Sequence, residues 1–159
     1  LRIVRGLGEQ FAALHGRSVA LALALEPARL YWQPPRESGA RTFPVYSCGE
    51  HLLRSAAAVE QTFGGITVNL WDDPFEWTLP EQLPAPADVA RYLEEAEATR
   101  LRGFEFLRSD EDLSKEIAAP SGMRTLFSLA SETLARASHH QGRAYATFRL
   151  FSDARLPRV

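Results

Sequence analysis

The sequence predicts an all-α fold, a four-helix bundle with a long crossover connection between helices 2 and 3. Three observations lead there. Four stretches carry apolar residues at three-four spacing, the period of one helix face. A segment rich in prolines and aromatics, over 66–87, separates the second stretch from the third. No alternating apolar-polar run is long enough to compete as a strand. A chain of 159 residues suits one domain with a real core, here 1–159.

The first helix is expected from about Ile3 to Ala28. Leu7, Phe11, Leu14, Val19, Leu21 and Leu25 supply its apolar face, and Pro27 marks its end. Gly6, Gly8 and Gly16 weaken it. Tyr31 to Pro44 reads as a loop, with Pro34-Pro35 and Ser38-Gly39 as breakers. The second helix has the clearest start signal. Ser47-Cys48-Gly49-Glu50 is a capping box, in which the Ser side chain accepts from the third helical N–H and Glu50 reaches back to the Ser47 N–H. Leu52, Leu53, Ala56, Val59 and Phe63 continue it, His51 lies in its first turn, and Gly64-Gly65 is expected to stop it. The connection that follows holds Trp71, Phe75 and Trp77, either packed as a lid over the bundle or forming a pocket wall. A third helix runs from Pro86 to about Arg108 on Val89, Tyr92, Leu93, Ala96, Leu101, Phe104 and Leu107. Residues 109–113 make a turn, and Ile117 to Pro120 a loop with at most a short extended piece. The fourth helix is expected from about Ser121 to Phe151. Its stripe is Ala130, Thr133, Leu134, Ala137, His140, Ala144, Phe148 and Phe151. Ala130, Ala137 and Ala144, seven apart, allow a neighbouring helix to approach closely. His140 belongs to the stripe, and His139 lies about 100° round the helix.

Composition narrows the function. The net charge of -2 argues against nucleic acid as a partner. Val19 to Leu25 is too short to span a bilayer and lacks a cleavage-like flank, so neither a membrane span nor a signal peptide is expected. The only cysteine, Cys48, cannot form an intramolecular disulfide, which fits a reducing cytoplasm. At the first turn of a helix its pKa could be lowered by the dipole, although packing is the plainer role. His15, on the weak first helix, reads as a surface or loop-facing residue. No glycine-rich phosphate loop and no HExxH occurs.

Three segments carry a resemblance. Tyr46-Ser47-Cys48-Gly49-Glu50-His51-Leu52-Leu53-Arg54 resembles the W-S-I-G-E-H-L-x-H opening of the second helix in the DinB-like family. Ser138 to Leu150 resembles that family's H-H-R-G-Q segment and the R-L that follows it. Phe106 to Leu113 is similar to its turn after the third helix. The resemblance spans nearly the whole chain in the right order. It implies a four-helix bundle, often a homodimer, in which many members hold a divalent metal on three histidines. Some members are thiol-dependent transferases using low-molecular-weight thiols. Carried over residue by residue, the ligand set is broken. The first ligand position is Arg54, the second is Arg136, and only the third, His140, remains histidine. His51 occupies a place that in the family is usually not a ligand.

Chemistry decides what the departure means. Arginine stays protonated and only donates, so it cannot serve as an ordinary metal ligand. No intact three-His site and no cofactor are therefore expected. Three readings stay open. Arg54, Arg136 and His140, with His51, form an anion pocket for a small acidic molecule. Alternatively, Glu50 pairs with Arg54 and Glu132 with Arg136, both in the favourable i, i+4 orientation, and a paired polar seam fills the vacated site. In the third, zinc or nickel sits on a repaired set of His51, His140 and a carboxylate such as Glu50 or Glu132, with His51 swinging across a turn, and the protein works as a metal- and thiol-dependent transferase with an altered ligand set.

Overall fold

The computed structural model describes residues 1–35 and 45–156. The Ser38-Gly39 breaker, the last three residues and the side chain of Phe75 lie outside the described residues. Four long helices dominate: α1 (Arg2–Ala24), α2 (Cys48–Val68), α3 (Pro86–Phe104) and α4 (Leu126–Phe148). One-turn 3-10 pieces at Pro27–Arg29, Pro74–Trp77 and Glu111–Ser114 punctuate the connections. An antiparallel hairpin, β1 (Glu116–Ala119) with β2 (Gly122–Thr125), precedes α4, so the fold is mostly helical rather than purely α.

Each boundary has a local cause. The backbone N–H groups of Arg2, Ile3 and Val4 donate to the Asp110 carboxylate at 2.8, 3.1 and 3.0 Å. A residue from the far side of the chain thus caps α1, whose own sequence offers no capping side chain, and its negative charge suits the helix N-terminus. α1 ends at Ala24, short of the expected Ala28. Pro27 pushes Glu26 out of helical geometry, and Leu25 is already extended. α2 begins at the capping box as expected but runs through Gly64-Gly65 to Val68. Asn69 ends it in the left-handed region, at φ 57° and ψ 29°. The glycines serve packing instead. A Cβ on Gly65 would lie 2.3 Å from the Trp71 ring, so the bare backbone admits the indole as the chain folds back. The fourth helix starts at Leu126, five residues later than expected. Residues 116–119 and 122–125 pair across a two-residue turn at Pro120-Ser121, with Gly122 at φ 108°. Thr125 then caps α4 by accepting from Ser128 N at 3.1 Å.

The helices meet in a ring of neighbours. α2 packs along α3 and α4, and α1 packs along α3 and more lightly along α4, whereas α1 and α2 barely touch. The α2–α4 contact is a regular polar seam. Cys48 Sγ donates to the Ala144 carbonyl at 3.3 Å, and Ser55 Oγ to the Ala137 carbonyl at 2.9 Å. The Thr62 and Thr133 hydroxyls bond each other at 2.7 Å. Donors seven residues apart on α2 meet acceptors at descending positions on α4, which makes the two helices antiparallel. Ala130, Ala137 and Ala144 are all buried in the contact, as their spacing predicts. α1 is tied to α4 by Gln141, whose Nε2 donates to the Leu14 carbonyl at 2.6 Å and to Ser18 Oγ at 2.7 Å. Between these contacts lies the core. Phe11, Phe63 and Phe104 form an aromatic triangle, and Leu21, Leu30, Leu52, Val89 and Phe148 fill one end. No described helix is long and apolar enough to cross a membrane.

Candidate functional site

The first turn of α2 is held rigidly. Glu50 Oε2 accepts from Ser47 N at 2.7 Å and from Ser47 Oγ at 2.8 Å, while Ser47 Oγ accepts from Glu50 N at 3.2 Å. Gln33 also donates to Glu50, at 3.3 Å. Gly49 donates its N–H to the Leu30 carbonyl at 2.8 Å, an approach that a Cβ would obstruct. This frame directs His51 inward, where it is 5 % exposed.

His51 faces α4. Its ring centroid is 5.8 Å from that of His140, which is half-buried on the inner stripe. The Nδ1 atoms of both rings are buried and have no hydrogen-bond partner. Tyr46 meets His51 edge-on at 5.5 Å, and the Arg54 guanidinium lies 4.0 Å over the Tyr46 ring. His139 is exposed, 5.6 Å from His140. The two imidazoles already stand side by side, so His51 need not swing across a turn to reach its neighbour.

Electrostatics makes the pair neutral. Burial comes first in pushing the His51 pKa down to about 4; repulsion from a charged His140 and from Arg143 adds to it, Glu50 opposes it, and Arg54 contributes least. His140 shifts in the same direction, by burial and then by His139, Arg54, Arg136 and Arg143. Arg143 therefore acts on both rings. The sequence reading missed it, although its place three residues after His140 puts it on the same helix face.

The expected carboxylate partners are elsewhere. Glu50 is committed to the helix cap. Glu132 accepts from Arg124 Nη2 at 2.7 Å, reached across from the hairpin. Arg136, exposed at the surface, donates to Gln61 Oε1 at 3.2 Å. The i, i+4 pairs Glu50–Arg54 and Glu132–Arg136 are thus replaced by a cap, a hairpin pair, an amide contact and a cation–π contact. A carboxylate seam does not fill the site among the described residues. Nor do three or more His, Cys, Asp or Glu groups come together there as a metal site. Cys48 is fully buried, and its thiol is pushed up to about 12 by burial, so the helix dipole does not activate it. His15 is partly exposed, with Nε2 3.3 Å from the exposed Glu94 carboxylate on α3.

The remaining groups form one chemical unit. Two neutral imidazoles, each with one N–H and one lone pair, sit under the positive field of Arg54, Arg136 and Arg143. Positive charge acts on both rings, on His51 from Arg143 and Arg54 against the opposing pull of Glu50, and on His140 from Arg54, Arg136 and Arg143. Comparison with protein-family models, curated proteins and solved structures found no match for this chain.

Proposed function

We propose that this chain is a four-helix bundle of the DinB-like kind, with the connection over 66–87 crossing between its second and third helices, in which the former metal position binds a small anion. The ring of helix neighbours and the order of the helices support the bundle. The anion reading rests on one observation: two buried Nδ1 atoms without partners, on neighbouring rings that both feel Arg54 and Arg143, with Arg136 acting on His140 as well. A carboxylate or phosphate takes bidentate hydrogen bonds from a guanidinium and further ones from imidazole N–H groups, and each charge-assisted bond is strong in a partly desolvated cleft. The Arg54 guanidinium suits this, since its contact over the Tyr46 ring uses none of its N–H donors.

The same free nitrogens favour a second reading, zinc or nickel on His51 and His140, serving metal- and thiol-dependent transfer. Two neutral imidazoles are good ligands, but the surrounding guanidiniums repel a divalent cation. Calorimetric titration separates the two. Inorganic phosphate is expected to bind the wild-type protein and to lose about tenfold or more in affinity on Arg54→Gln or His51→Ala, in line with removal of one charged hydrogen bond. Near-stoichiometric zinc that survives gel filtration and disappears on His140→Ala, with no phosphate binding, would overturn the anion reading in favour of the metal.

A further inference from the structure

One helical turn along α4 from His140, the residues of α2, α4, the hairpin and Trp71 border an open crevice of about 210 Å³. Arg136, Glu132, Gln61, Ser121, Arg124 and Trp71 are among the residues that line it. Arg136 belongs to both places, because its charge acts on His140 while its side chain forms part of the crevice wall. On α4 the residues Glu132, Arg136 and His140 follow at four-residue steps, so the site and the crevice are successive turns of one helix face, about 6 Å apart per step.

We propose that the ligand is an organic anion with a flat, hydrogen-bonding tail, its acid group at Arg136 and the imidazoles and its tail in this crevice. The inference rests on the anion reading above and specifies what that anion carries. The wall chemistry sets the tail. Trp71 offers an indole, placed by its packing against the bare backbone of Gly65 and by its Nε1–H donating to Asn69 Oδ1 at 3.0 Å. Gln61 is engaged at both ends, by the Trp71 carbonyl and by Arg136, whereas the Ser121 hydroxyl and the second oxygen of the Glu132 carboxylate stay able to bond the tail beside their contacts with Arg124. An inorganic ion would leave the crevice unused. A purely alkyl tail would leave the polar groups of Ser121, Arg124 and Glu132 in the wall without a partner.

The test compares inorganic phosphate with 4-aminophenyl phosphate by calorimetry on the full chain. The aryl ester is expected to bind about tenfold tighter, the scale of one aromatic contact. Trp71→Leu and Glu132→Gln should each remove that advantage, read within each variant as the ratio of its affinities for the two phosphates. Glu132 is exposed, so its variant provides a folded comparison if loss of the indole loosens the connection. Equal affinity for the two phosphates, or an advantage unmoved by both variants, sinks the crevice proposal and leaves the anion reading standing. Failure of both phosphates to bind sinks both.

Discussion

His51 joins the stability of the fold to the chemistry of the site. Its side chain is 5 % exposed, and the groups that face it are Glu50 and Arg54 from α2 and His140 and Arg143 from α4. In the folded protein its pKa falls to about 4, whereas the unfolded chain takes up the proton near the ordinary histidine value of about 6.5. Between those values the unfolded state holds more protons. Stability is therefore full above about pH 6.5 and declines as pH falls toward 4. His140, shifted the same way, steepens the decline. Thermal melts at pH 7.5 and pH 5 should show a larger loss of Tm in the wild-type protein than in His51→Gln, which has nothing to titrate there. Equal losses would mean that the imidazole is not held neutral by the fold. A bound anion acts in the opposite sense, because it favours imidazolium. Phosphate should raise the His51 titration midpoint followed by NMR and bind more tightly as pH falls.

At the scale of elements, glycines show how the same residue type takes opposite roles. Gly65 stands in the body of α2 against the Trp71 ring, while Gly142 stands in α4 with nothing within 4 Å of an added Cβ. Gly65→Ala should destabilise by about 1–3 kcal/mol through overpacking and shift the tryptophan emission as the indole moves. Gly142→Ala should stabilise by about 0.5–1 kcal/mol, since only the helix preference of alanine is left to act. Urea unfolding of the two variants gives the signs directly, and a neutral Gly65→Ala would refute the packing role. Sequence pattern could not separate these cases. A Gly-Gly pair after an apolar run reads as a helix stop because the residue is visible and its neighbour in space is not. The four helices were legible for the converse reason: their three-four period is carried within each stretch. The hairpin was not, because each strand has only four residues and its stability comes from the turn at Gly122 and from lying beside α4. The partner of Glu132 was hidden likewise, since Arg124 reaches it only once that hairpin has formed.

For the whole molecule, the register between α2 and α4 decides whether a site exists. Period placed His140 on an inner stripe, but nothing along either helix states that His51 stands opposite it. That follows from the seam in which Cys48 meets Ala144, Ser55 meets Ala137 and Thr62 meets Thr133. His51 lies between the first two of these contacts on α2, and His140 between the matching two on α4, so both rings are set by the same rungs. The helices approach closely enough for a hydroxyl to reach a partner carbonyl only because the facing residue is alanine. Ala137, at 0 % exposure, has no room to grow. Ala137→Leu should therefore force α2 and α4 apart, cost about 1–3 kcal/mol of stability, and abolish phosphate binding although no group of the site has been changed. Ala135→Leu, on the exposed face of the same helix, should leave both properties near wild type. Denaturant midpoints with phosphate calorimetry at a temperature where both variants are folded measure the two effects together. If Ala137→Leu keeps wild-type affinity while losing stability, the imidazole pair does not depend on the seam. The site is then positioned by the capped first turn of α2 alone.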